Sequence, residues 1–378
     1  MTKTSPCAEW RAPNQRHTCV ETAGQMQPDS TSSAGAVDLP GARGQLVLTD
    51  AMHRGEGMKH VLIVGCPRSG TSWLQLLLAQ HRAIATTQET HLFNNYLSLL
   101  EQSWQRFPAV DPNIGMRRLL SDDEFYGLCA EFAKAVLGRI ADGNPNAEVV
   151  LEKTPGHVRH GRFILRLVPD MYFLHIVRDP RSVVSSLCAA AQSWARGQWA
   201  STNVARNAQI WRSDVTLGRE LGTLTPRYRE VRYEDLLGEH GPGTLASLLA
   251  WLDLPVNDDF ASSAFVACQI DRLRAGGEGV RNFDTLSRSQ PNFFRKGQVN
   301  SWKEDLSPSA IRVIEYMNRD LMEIYGYTLL STPSRKPLRL VIDQVLSKVE
   351  RRVQGQVNTA FERFHRAFGA ATANGRTK

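Results

Sequence analysis

One arginine and three hydroxyl side chains surround Gly70 in the run Gly65-Cys66-Pro67-Arg68-Ser69-Gly70-Thr71-Ser72. Gly70 lets the backbone turn tightly, so several N–H groups can point at one anion. A helix starting at Ser72 would add the positive end of its dipole. Arg68, Ser69, Thr71 and Ser72 bring further donors, so the chemistry is that of a phosphate loop. The run departs from the nucleoside-triphosphate pattern G-x-x-x-x-G-K-[ST] at one place. Thr71 stands where a lysine would reach the β- and γ-phosphates, and the cation sits inside the loop at Arg68.

A second anion site is expected after the apolar run Met171–Val177, in Arg178-Asp179-Pro180-Arg181-Ser182-Val183-Val184-Ser185-Ser186. An arginine at the C-terminal edge of a strand points into the crevice where α/β proteins bind ligands. Ser186 follows eight residues later, two turns into the next helix, close enough to share one phosphate with Arg178. Asp179 could instead be read as a metal-binding carboxylate of a kinase. The adjacent Arg178 and the missing loop lysine oppose that.

These two runs resemble the sulfotransferases that use 3′-phosphoadenosine 5′-phosphosulfate (PAPS), especially the branch of bacterial members and tyrosylprotein sulfotransferases. The resemblance makes Pro67–Ser72 the 5′-phosphosulfate loop and Arg178 with Ser186 the 3′-phosphate site. It also places Trp73 and Tyr233 with the nucleotide. Phe294-Arg295-Lys296-Gly297, followed by Trp302-Lys303, is similar to the family's basic lid, with Arg295, Lys296 and Gly297 on the nucleotide and Trp302 as its anchor. Sulfuryl transfer needs cations on the leaving oxygen and a base for the acceptor hydroxyl. Arg68 and Lys153 are the expected cations. Glu89, 21 residues after Arg68, is the expected base; His91 is its rival, and His157 would line the acceptor site. No metal is required. The acceptor is expected to be a hydroxyl on a small molecule, sugar, lipid or peptide, and the sequence does not choose among them. A P-loop kinase and a non-catalytic PAPS- or PAP-binding protein are the alternatives.

The elements that must hold these residues read as an α/β fold of P-loop type, a central parallel sheet flanked by helices on both faces, with a C-terminal amphipathic helix. Short β-branched apolar runs mark strands at 60–65, 149–152, 171–177 and 228–233, with a further extended piece at 83–86. Helical spacing is read at 72–81, 121–140, 157–168, 181–191 and 200–221, and Ser121 with Glu124 makes a capping box. Such alternation implies right-handed crossovers in one sheet.

Residues 1–57, rich in Ser, Thr, Gly, Pro and Gln, are expected to be a disordered leader, 58–330 the sulfotransferase domain and 331–378 a basic helical tail. The net charge of +7 resides in that tail, where ten Lys/Arg face three Asp/Glu. The near-neutral remainder argues against a nucleic-acid partner. In the tail, Leu338, Val341, Ile342, Val345, Val349, Val353, Val357, Phe361, Phe364 and Phe368 fall at helical spacing. Such a helix can pack on the domain, pair in a homodimer or make peripheral membrane contact, and the first two are favoured. The six scattered cysteines have no CxxC spacing, and no signal peptide or spanning segment is read, so a cytoplasmic location is expected.

Overall fold

Val61, Leu62, Ile63 and Val64 are all closed to solvent in strand β1 (Lys59–Gly65), the centre of the sheet in this computed structural model. The structure describes residues 57–106, 115–195, 199–286, 299–331 and 335–342. The leader, the basic run 295–297 and the tail beyond 342 lie outside the described residues. Four further strands complete the sheet: β2 (Ile84–Thr86), β3 (Val149–Lys153), β4 (Tyr172–Val177) and β5 (Tyr228–Arg232). Their order is β2-β3-β1-β4-β5, and every pairing is parallel.

Strand periodicity splits β1 between two cores. Val61 and Ile63 pack with α1 (Thr71–Ala79) and α7 (Gly241–Trp251), while Leu62 and Val64 pack with α3 (Asp122–Gly138) and α4 (Gly161–Leu167). Each fully buried aliphatic side chain contributes about 1.5–3 kcal/mol. Helices α2 (Ser98–Arg106), α5 (Pro180–Gln192), α6 (Val204–Leu224), α8 (Asp258–Ala267) and α9 (Pro308–Ile324) complete the two outer layers. Among the described residues no helix is long and apolar enough to cross a membrane.

The Ser121–Glu124 capping box opens α3 as the sequence predicts. The expected helix at 157–168 is shorter. Pro155–His160 is a run of tight 3₁₀ turns, and α4 proper begins at Gly161. The cause is local: His157 is drawn into the core, and Gly161 lies so close to Leu221 that a Cβ would overlap it.

The chain leaves β1 toward β2 but leaves β4 toward β5, in opposite directions. A crevice therefore opens beyond the C-terminal ends of β1 and β4. The segments that follow β1, β2, β3 and β4 all emerge on this edge.

Candidate active site

The loop after β1 is held in a conformation that costs energy. Arg68 has φ 74° and Gly70 φ 100°. The other described non-glycine residues with positive φ are His91, Asp253, Asn282 and Asn300, all of types that visit this region more readily than arginine. A left-handed arginine costs on the order of 1 kcal/mol. A side chain at position 70 would fare worse, since its Cβ would stand 2.5 Å from the Tyr233 ring. Ser69 is fully buried, and its hydroxyl has no hydrogen-bond partner. An unpartnered buried hydroxyl in a strained, donor-rich turn fits an anion seated on the loop.

Behind the loop, Arg159 forks onto the buried Asp214 at 2.7 and 2.8 Å, and the Cys66 thiol donates to the same carboxylate. Burial pushes the Cys66 thiol far up, and Asp214 adds to the shift. Cys66 is thus a protonated support for the loop, not a nucleophile.

The second loop is built by Asp179 and Arg181. Asp179 caps α5 by accepting from the Arg181 backbone N–H at 2.8 Å. The Arg181 guanidinium is buried between Asp179 and Glu315, each at 2.7 Å, and lies over the Trp302 ring at 4.1 Å. Trp302, 1% exposed, therefore anchors its segment directly on this loop. The Arg178 guanidinium rests on the Tyr233 ring at 4.0 Å, the same ring that limits Gly70. Ser186 accepts from Arg68 Nε at 3.0 Å, so it joins the two loops, whereas the sequence alone paired it with Arg178. Trp73 is buried beside Tyr233, with its indole N–H on the Cys268 carbonyl at 2.8 Å. Trp73 and Tyr233 thus brace the loops from below. Thr71 is buried at the start of α1, and Ser72 is half-buried beside it.

Glu89, His91 and Lys153 come together from two segments. Lys153 Nζ lies 2.6 Å from Glu89 Oε1, and His91 Nε2 lies 3.3 Å from Glu89 Oε2. The Asn94 amide contacts His91 Nδ1 at 3.4 Å. With that amide donating, Nδ1 accepts, and the proton sits on Nε2 facing Glu89. His91 has φ 53° and leads into a π-helical turn, Leu92–Leu97, a distortion frequent at functional sites.

Glu152 holds this cluster in place, a role the sequence did not suggest. Its Oε1 accepts from the Thr90 N–H at 3.0 Å, the Thr90 hydroxyl at 2.9 Å and the Thr154 hydroxyl at 2.6 Å. His157 was expected to line the acceptor site, but it is fully buried. Its Nδ1 lies 3.2 Å from Glu152 Oε2, so this ring nitrogen faces the carboxylate. Its Nε2 accepts from the Phe93 N–H. Burial pushes the Glu152 carboxyl up, but His157 and the hydroxyl donors outweigh it and hold the group at about 2, against an ordinary 4.5.

A depressed carboxylate stabilises the fold above its unfolded value, and the benefit drains as pH falls from about 4.5 toward about 2. Glu152→Ala, which strands a buried histidine and three donors, is expected to cost about 3 kcal/mol in a urea titration at pH 7. The difference from wild type should shrink as the titration is repeated at falling pH. A midpoint unchanged at pH 7 would show that Glu152 does not brace the segment.

Residues 60–258, more than half of the chain, match the Sulfotransferase family. The protein-tyrosine sulfotransferase of Drosophila melanogaster is 24% identical over 205 residues, 53% of this chain and 39% of that protein. Protein-tyrosine sulfotransferase 1 of Homo sapiens is 28% identical over 139 residues, 37% of this chain and 36% of that protein. The chain thus spans about two fifths of the length of these curated relatives. Among solved structures, the sulfotransferase domain from the curacin biosynthetic pathway has a TM-score of 0.46 at 19% identity, covering 72% of this chain and 99% of that one. Mouse SULT7A1, solved with PAP, has a TM-score of 0.45 at 16% identity, covering 73% of this chain and 89% of that one.

Proposed function

The chain belongs to the sulfotransferase family, and from that premise we propose that it transfers a sulfuryl group from PAPS to an acceptor hydroxyl, releasing 3′-phosphoadenosine 5′-phosphate (PAP). The observation that carries this reading is the Arg68–Ser186 contact. It sets the turn after β1 beside α5, so that one ligand could reach both. The buried, unpartnered Ser69 hydroxyl supports it. So does Thr71 in place of the lysine that a triphosphate calls for.

The donor supplies the sulfuryl group, and its bridging oxygen takes up the electron pair of the breaking S–O bond. Ser69, Thr71, Ser72 and the N–H groups of the loop hold the 5′ end. Arg178, and in this reading Arg295, Lys296 and Gly297, hold the 3′-phosphate. Arg68 and Lys153 place positive charge where the leaving oxygen becomes negative. Glu89 takes the acceptor proton. His91, whose Nε2 lies 3.3 Å from Glu89 Oε2, flanks the carboxylate, so it orients the base. A cytoplasmic location belongs to the same reading, supported by the free thiols of Cys66, Cys129, Cys188 and Cys268.

Calorimetry tests the donor site directly. PAP should bind saturably. ADP, which lacks the 3′-phosphate, should bind at least about tenfold more weakly for want of charge-assisted hydrogen bonds. Magnesium ATP should give no saturable heat. Tight magnesium ATP binding with none for PAP would return the chain to the kinase reading.

A further inference from the structure

The first helical turn of the basic C-terminal segment is described, at residues 338–342. Leu340 is 3% exposed and buried against Val184, Val204, Ala208, Val313 and Ile314. Arg339 donates to the hydroxyls of Ser307 and Ser309, each at 3.2 Å. The root of the tail is thus fixed to the domain. Leu338, Val341 and Ile342 are instead 74%, 39% and 49% exposed. At about 100° per residue, Leu340 lies roughly 150° around the helix from the middle of those three. The apolar stripe that Leu338, Val341 and Ile342 begin, and that the sequence continues at Val345 and Val349, therefore starts out facing away from the domain.

The described turn thus packs on the domain through Leu340 rather than through the apolar stripe, which it leaves exposed. Charge bears on pairing in a homodimer. The segment 331–378 carries ten Lys/Arg against three Asp/Glu, which accounts for the whole +7 of the chain. Two such tails side by side would repel. The stripe is also bordered by cations from two elements: Arg312 of α9, Arg335 and Arg339 share one surface depression with Leu338 and Ile342.

We propose that this corner of the molecule docks peripherally on an anionic bilayer surface. Leu338, Val341 and Ile342 enter the headgroup boundary while Arg312, Arg335, Lys336 and Arg339 meet lipid phosphates. An apolar strip flanked by cations is what such an interface selects, and each basic residue near it strengthens binding about fivefold. The inference stands apart from the donor chemistry, since none of these residues is placed in the transfer site.

Flotation of the full-length protein tests it, using vesicles of phosphatidylcholine alone or with about one third phosphatidylglycerol. The expected result is flotation with the anionic vesicles only, lost in high salt. The surface variant Leu338→Asp/Ile342→Asp should lower partitioning by about tenfold or more while leaving PAP binding unchanged. Equal flotation of that variant, or no flotation with anionic vesicles, would overturn the proposal. So would sedimentation showing a dimer that the variant dissociates, or heparin capture without vesicle binding.

Discussion

Arg68→Ala is expected to lower kcat by roughly a hundredfold or more, the loss seen when one preorganised donor to developing charge is removed. The residue joins the turn after β1 to α5, with Nε on Ser186 at 3.0 Å and its guanidinium within 5.7 Å of the Trp194 ring centre. It adopts φ 74°, where alanine is no better suited than arginine. The alanine variant therefore keeps the strain and loses only the cation. Arg68→Gly separates the two effects, since glycine relieves the backbone without restoring charge. Both variants should be equally impaired in turnover, with the glycine form folding at least as stably. If Arg68→Gly recovered most of the activity lost in Arg68→Ala, the loop's shape would matter more than its charge. Retention of more than about a tenth of wild-type kcat by both would remove Arg68 from the leaving-group role.

What could be read from the sequence, and what could not, follows the range of the interactions. β1 and β4 announce themselves because a buried parallel strand must be apolar on both sides, as Val61–Val64 and, His175 apart, Phe173–Val177 are. The turn after β1 is legible because its residues are contiguous, with Gly70 at positive φ. The Ser121–Glu124 cap is legible because its partners are three residues apart. The pairs that assemble the site leave no such trace. Arg68 meets Ser186 across 118 residues, Lys153 meets Glu89 across 64, and Arg181 meets Glu315 across 134.

His157 shows how such a pair misleads. A histidine just after a strand end reads as a crevice residue, and nothing within its own segment says that the Phe93 backbone, 64 residues away, draws it inward. The tail shows the complementary failure. Periodicity marks an apolar stripe from Leu338, but which way Leu338, Val341 and Ile342 face is decided by Leu340, a residue outside the pattern.

Glu89→Gln is expected to lower kcat by about a hundredfold to ten-thousandfold, the range lost when a positioned general base is removed. PAP affinity should stay within about twofold, since no interaction of Glu89 is assigned to the nucleotide. Glutamine keeps the length and can still accept from Lys153, so the cluster should survive. What it cannot do is take a proton. Its amide also places donors against His91 Nε2, which already carries the proton in the geometry described. His91→Asn discriminates between the rivals: an orienting histidine should cost far less in kcat than the base itself. The reverse ranking, with Glu89→Gln nearly active and His91→Asn inactive, would transfer the base to the imidazole. It would also leave Glu89 as the group that holds Lys153. That ranking is disfavoured because an imidazole that carries its proton on Nε2 has no lone pair there for an acceptor proton, whereas Glu89 stays open at 15% side-chain exposure between its two neighbours.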